Sequence, residues 1–370
     1  MTIYIIILII IFIMGAIFRP ERKEKGKVWF IILSFILLTF VSGMRAYSVG
    51  ADTTVYVRLY NIIAEADIGK LRYEYLFCVY LKILRFFSSD PRLMLFVSSI
   101  ICIGSYCYFA YRFSKNTLIS MVLYITLSQY FSQMNIIRQA IAMSFIMLSF
   151  SIVLDSSLLK KHKIIKSVIS ALLIIVAMGF HTVSVIAFVP WIIILRHSDD
   201  SREYKYSMQY VVLLTVLLCV AVFFGYSLIM RISSALFTQK SDFYFNSKWG
   251  DANYFGSLIN GLVNASFFAV GSIAFRGRVL TKLQRFGAIM LGMTLIFNVL
   301  SMRMEFWGRI ASLFGVYTAL IWVPEFLSVI ENKSNVLIIK SAIIVLTFLE
   351  MLTILVLRPE WSGVVPYVFG

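Results

Sequence analysis

The residues able to do chemistry gather in short polar interruptions of an otherwise apolar chain. Arg45 and Asp52 lie in GMRAYSVGADTTVY, residues 43–56. A guanidinium offers five N–H donors in a fixed fork suited to phosphate or sugar hydroxyls, and a carboxylate can take a proton from a hydroxyl. Asp52 before Thr53 and Thr54 equally fits a helix N-cap, which is a purely structural role. Arg72 and Glu74 follow in the same segment, able to meet a substrate or simply to pair. In MNIIRQ, residues 134–139, Asn135 and Gln139 place amides around Arg138 at the start of a long apolar run. Charge there is costly unless paired or hydrated, so the set suits binding of phosphate or sugar; a snorkelling helix-end arginine is the plain alternative. His181, after Phe180, stands at a turn between two apolar runs, as a base, a sugar contact or a structural histidine. Arg303, Glu305 and Arg309 surround Trp307, either gripping a diphosphate beside a stacked sugar or forming an internal ion pair. Glu350 stands inside the last apolar run, where acids are functional by default unless a neighbouring helix supplies a cation.

Stronger signatures are missing. There is no G-x-S-x-G, no H-E-x-x-H, no phosphate-binding loop and no Cys/His metal spacing. Cys78, Cys102, Cys107 and Cys219 lie mostly in apolar runs and form no C-x-x-C pair, which reads as packing. The expectation is a polar, arginine-rich site that needs no metal and no cofactor.

The elements that must position these residues are membrane helices. The 370 residues are 60% hydrophobic, with mean hydropathy +0.88, too apolar for a soluble domain. Apolar runs cover 3–18, 28–43, 92–112, 117–133, 136–154, 165–180, 183–195, 209–229, 255–275, 284–302, 308–328 and 336–357. A span needs about 20 apolar residues, so the expectation is an all-α polytopic integral membrane protein of about 12 transmembrane helices, between about 10 and 14. The whole of 1–370 is taken as a single membrane domain. The formal net charge of +16 belongs to orientation rather than to nucleic acid, because no basic tail or patch with interleaved aromatics accompanies it.

Residues 73–87 are the ambiguous stretch. Glu74, Cys78, Lys82 and Arg85 recur at helical spacing, with Phe77, Tyr80, Leu81 and Leu84 opposite, which predicts an amphipathic interfacial helix that does not span. The loops 19–27, 112–116, 155–164, 196–208, 276–283 and 329–335 then face inside, with more than half of the 34 lysines and arginines in them or at their helix ends. Both termini, the segment 44–91, the turns near 134–138, 181–182 and 303–307, and a second loop at 230–254 face outside. The N-terminus turns apolar at Ile3 with no basic region before it, which reads as an uncleaved first helix.

Arg45, Gly50, Asp52, Thr53 and Tyr56, then Glu74, then Met134 to Gln139 and Phe180-His181, resemble in order the EpsG family of Wzy-like polysaccharide polymerases, best over 45–190. The resemblance implies a GT-C-like membrane glycosyltransferase on the outer face of the bacterial cytoplasmic membrane. It would join undecaprenyl-diphosphate-linked oligosaccharide units of O-antigen, capsule or exopolysaccharide, with a flippase and a chain-length regulator as partners beside membrane lipids. Asp52 or His181 would serve as base, with Arg138 at the reacting diphosphate. Arg45, Glu74, Asn135, Gln139, Arg303 and Arg309 would contact diphosphate or sugar.

Other functions fit less well. A flippase or other transporter calls for internal repeats or midplane charges, and only Glu350 answers. A ligase calls for a larger outer domain, and an acyltransferase for a His-plus-acid motif near the inner face.

Overall fold

The computed structural model describes residues 1–155, 162–196, 208–236 and 254–370. Its first helices are α1 (Thr2–Phe18), α2 (Glu24–Gly43), α3 (Thr53–Ile62), α4 (Tyr75–Phe87), α5 (Arg92–Phe113), α6 (Thr117–Thr126), α7 (Gln129–Asn135), α8 (Ile137–Leu154), α9 (Lys163–Phe180) and α10 (Phe188–Arg196). A second series comprises α11 (Met208–Phe224), α12 (Tyr226–Leu236), α13 (Tyr254–Ala274), α14 (Lys282–Ser301), α15 (Glu305–Tyr317), α16 (Val323–Val329), α17 (Lys333–Leu352) and α18 (Pro359–Ser362). Helices dominate because a backbone in lipid must satisfy its own N–H and C=O groups. Outward-facing leucines such as Leu213, Leu214 and Leu217 on α11 are exposed, the pattern of a surface solvated by acyl chains.

Every apolar run is helical over most of its length, so the chain is a polytopic membrane protein. Among the described residues eight helices are long and apolar enough to cross a membrane, or nine if α11 and α12, bent by 76°, count as one. The difference from about twelve lies in three runs that yield shorter helices, Thr2–Phe18, Thr117–Thr126 and Thr182–Arg196. The 117–133 run breaks because Ser128 adopts a left-handed conformation, φ 59°. The loop expected at 230–254 lies mostly outside the described residues, and its first part, to 236, belongs to α12.

The chain forms two compact units, Met1–Ser198 with Leu337–Gly370, and Asp199–Val336. In the first, α5 packs on α2 and α8, α8 on α9, and α1 on α2 and α6. Loops assigned to one side of the membrane meet at one end. The Arg112 Nε donates to Asp155 at 2.9 Å, and the Tyr111 hydroxyl donates to Glu24 at 3.0 Å. The other end gathers the segment after α2, the start of α5, the α7–α8 junction and the α9 C-terminus.

The helix expected at 73–87 is α4. Thirteen residues reach about 20 Å, short of a hydrocarbon core of about 30 Å. Its faces differ from the expected ones: Cys78 is buried beside Phe77, Leu81 and Leu84, while Tyr75, Ile83, Phe86 and Phe87 are exposed. Cysteine behaves as a small apolar residue here and joins the buried side.

In the second unit α14 packs against α11, α13 and α15. Trp322, in the widened turn joining α15 to α16, is wholly buried, and its Nε1 donates to the Phe267 carbonyl at 2.8 Å.

A feature invisible to periodicity is the C-terminal tail, which straps the segment after α2. Ala46 N donates to Val368 O at 2.8 Å, Gly50 N to Gly363 O at 2.7 Å, and Gly370 N to Met44 O at 3.0 Å. The Tyr4 hydroxyl donates to Val364 O at 2.9 Å, and the Tyr367 hydroxyl to Val41 O at 2.7 Å. Gly363 has φ +60°, and a Cβ there would lie 2.7 Å from Ala51 N. Glycine is required both for the backbone angle and for the close approach.

Candidate active site

The site is built where three chain segments reach the same end of the first unit. Glu74 precedes α4, Arg138 opens α8, and His181 ends α9. The Glu74 carboxylate accepts from Arg138 Nη1 in an ion pair. Its other oxygen lies 3.7 Å from His181 Nδ1 and accepts from the backbone and hydroxyl of Thr182, each at 3.4 Å. The guanidinium of Arg138 also covers the ring of Tyr73 at 5.1 Å and exchanges a hydrogen bond with Tyr56. Burial of Glu74 disfavours its charge, but the adjacent His181 and the Arg138 charge outweigh this and hold the carboxyl well below the usual carboxylate range.

Aromatic contacts beneath the cluster fix its geometry. Phe145 of α8 stacks on Phe180 with centroids 5.4 Å apart, Phe180 meets Tyr80 of α4 edge-on at 6.0 Å, and Phe77 meets Tyr56 of α3 at 5.6 Å. The helices carrying Arg138, His181, Glu74 and Tyr56 are thus linked through ring contacts of preferred stacked and edge-on geometry.

Asp52 sits at the N-cap position of α3, yet its side chain makes no capping bond. Its carboxylate is half-buried and, among the described residues, takes part in no hydrogen bond or ion pair. It is one helical turn before Tyr56, on the same side of α3. The backbone on either side is held. Gly50 has φ +102°, and a Cβ there would lie 2.4 Å from Thr53 Oγ1. Ala51 N donates to Asn135 Oδ1 at 2.7 Å. Asp52 therefore stands on a loop whose backbone is held on both sides.

Arg45 is 1% exposed. Its Nη1 donates to Ser42 O and its Nη2 to Met134 O at 3.1 Å, so carbonyls from the C-terminal ends of α2 and α7 converge on the cation. The negative ends of both helix dipoles replace a counter-ion. Burial lowers its pKa to about 10, leaving it charged at neutral pH. Arg45 thereby ties the loop after α2 to the MNIIRQ junction.

The structure thus unites Glu74, Arg138 and His181, and ties the loop of Arg45 and Asp52 to Asn135 at the end of α7. Asn135 serves the backbone of Ala51 rather than Arg138. Gln139 is 3% exposed, within α8. Arg303 and Arg309 belong to the second unit. The exposed Arg303 guanidinium lies 5.5 Å from the ring of Phe223, and Arg309 lies on α15. Trp307, expected to offer a face to a sugar, is 8% exposed and stacks on Phe297 at 5.9 Å; packing has used that face. Tyr73 and Thr182 were absent from the expected set, and Tyr56 stood in the family resemblance without a role. Their signal was adjacency: next to Glu74, next to His181 and one turn from Asp52.

A family model described as the EpsG family matches residues 27–369. The chain belongs to the EpsG family. The match takes in the whole cluster, from Arg45 to the strapping tail, and membership suggests a glycosyltransferase-like polymerase of polysaccharides. No curated protein and no solved structure matches the chain.

Proposed function

We propose that this EpsG-family chain is a Wzy-type polymerase that joins undecaprenyl-diphosphate-linked oligosaccharides on the outer face of the bacterial cytoplasmic membrane. The observation that carries this is the buried Glu74–Arg138 pair, with His181 against the same carboxylate and the free Asp52 on the adjoining loop. The positive-inside distribution supports putting this end of the first unit outside. About twelve segments then cross or enter the membrane in a GT-C-like arrangement, with the short helices as partial spans.

The chemistry follows from the groups. An acceptor hydroxyl attacks the anomeric carbon of the donor's reducing-end sugar. A new C–O bond forms, the C–O bond to diphosphate breaks, and undecaprenyl diphosphate leaves with the electron pair. Arg138, pre-oriented by Glu74, stabilises the charge gathering on that leaving group. Asp52 or His181 takes the hydroxyl proton. A flippase supplies the units, and a chain-length regulator is the expected partner.

Deletion of the gene followed by glycan electrophoresis tests the proposal. Single repeat units on the surface, with long chains restored by the wild-type gene, are the expected result. Loss of every surface repeat would point instead to a flippase. Cysteine labelling from outside at position 52 checks the orientation, and labelling only after permeabilisation would overturn it.

A further inference from the structure

We infer that Tyr56 is a positioning residue for the proposed transfer, its hydroxyl holding the Arg138 guanidinium from α3 while its backbone holds the turn that carries Asp52. This rests on the polymerase function proposed above and adds to it a residue that acts through another.

Tyr56 lies one helical turn after Asp52, and its N–H donates to the Asp52 carbonyl at 3.2 Å. The residue is 4% exposed, so its influence on a reaction runs through the group it holds. That group is Arg138, with which the phenol shares a side-chain hydrogen bond. A guanidinium has no acceptor, so Arg138 donates and the Tyr56 oxygen accepts. Glu74 is the charge partner of Arg138 at Nη1, and Tyr56 is a second point of attachment from a different helix. Arg138 Nε is buried without a hydrogen-bond partner and takes no part in this hold. The phenol is itself fixed by its ring, which meets Phe77 of α4 edge-on at 5.6 Å, and Phe77 is wholly buried.

A buried tyrosine ordinarily uses its hydroxyl to anchor a helix. In this chain Tyr4, Tyr60, Tyr106 and Tyr130 are buried and donate to the main-chain carbonyls of Val364, Ser88, Ser120 and Leu38 at 2.8–2.9 Å. Tyr56 departs from that pattern, since its partner is the cation that the proposed transfer uses at the diphosphate. An arginine stabilises charge forming on a leaving group best when its fork is already aimed, because turning it during the reaction would forfeit part of the gain. Bonds from two other segments and the ring of Tyr73, 5.1 Å away, supply that aim. The same tyrosine joins two parts of the reaction. One candidate base, Asp52, stands where α3 begins, and Arg138 stands in the first turn of α8, so one side chain keeps the two helix starts in register.

The test uses full-length protein in native membranes, with lipid-linked repeat units extracted from the deletion strain as substrate. Tyr56→Phe keeps the ring against Phe77 and removes only the hydroxyl. At normal membrane levels it is expected to lower kcat about ten-fold with KM within about two-fold of wild type, the split of a contact felt in the transition state. Added to Arg138→Lys, which has no fork to hold, it should lower kcat by less than about a further two-fold. A Tyr56→Phe kcat within about two-fold of wild type would overturn the role. So would a second fall of about ten-fold in the lysine background, which would make the hydroxyl independent of Arg138. If Tyr56→Phe fails to accumulate, fluorotyrosine at position 56 decides, since it keeps ring and hydroxyl but accepts a hydrogen bond less well. A kcat lowered about two-fold or more supports the role, and an unchanged kcat overturns it. Wild-type protein that makes no polymer would overturn the polymerase function and this role with it, whereas active wild type beside an unchanged phenylalanine variant overturns the role alone.

Discussion

Glu74 and Arg138, 64 residues apart in sequence, meet in an ion pair whose carboxylate side chain is only 8% exposed. A carboxylate that far from water is tolerable only because a guanidinium, a histidine and a threonine converge on it. The same convergence fixes the guanidinium, so under the proposed function the pair would serve both packing and chemistry.

Breaking that pair separates the two roles. Arg138→Ala strands a buried carboxylate and is expected to destabilise the fold by about 3 kcal/mol while abolishing long glycan chains. Arg138→Lys keeps the charge but loses the fork. It should keep normal membrane levels by immunoblot and still give shortened chains on a glycan gel. Full-length glycan from the lysine variant would show that the planar fork is dispensable.

Acid should leave the pair intact. The folded Glu74 carboxyl is held below its unfolded range near about 4.3, so its stabilising contribution is complete above that range and is lost only as pH falls through the depressed folded value. Between pH 5 and 8 Glu74 stays ionised. An acidic limb in the rate–pH profile within that window should therefore persist unchanged in form if measured in a Glu74→Gln variant with residual activity.

Asp52 is the opposite case, since among the described residues its carboxylate makes no hydrogen bond or ion pair. Asp52→Asn should leave the thermal transition within about 0.5 kcal/mol of wild type, and lower kcat by about a hundred-fold or more if Asp52 is the base. An active Asn variant would transfer the role to His181.

Gly363 should tolerate nothing larger. Gly363→Ala combines a left-handed φ with a contact of 2.7 Å to Ala51 N, an expected cost of about 1–3 kcal/mol. Limited proteolysis should then release the tail, and activity should fall although no polar side chain has been touched.

Much of the fold was legible from hydropathy, because lipid imposes helices on every long apolar run. The short helices were not, since a run such as 117–133 conceals the backbone reversal at Ser128, which no side-chain pattern announces. The site was legible as a set of residue types but not as pairings. Asn135 and Gln139 beside Arg138 suggested an amide shell, whereas the partner is Glu74, brought in by a separate helix. Arg45 looked like a ligand-binding cation, and only the three-dimensional convergence of two helix ends reveals what holds it. Tertiary electrostatics of this kind leaves no trace in local spacing.

The hydroxyl of Tyr4 reaches the carbonyl of Val364 across 360 residues of sequence. During synthesis, the loop bearing Asp52 emerges long before the segment that clamps it. A half-translated molecule already inserted in the bilayer would carry Arg138, Glu74 and His181 but no clamp on the loop of Asp52, and that loop becomes fixed only once residues 363–370 have left the ribosome.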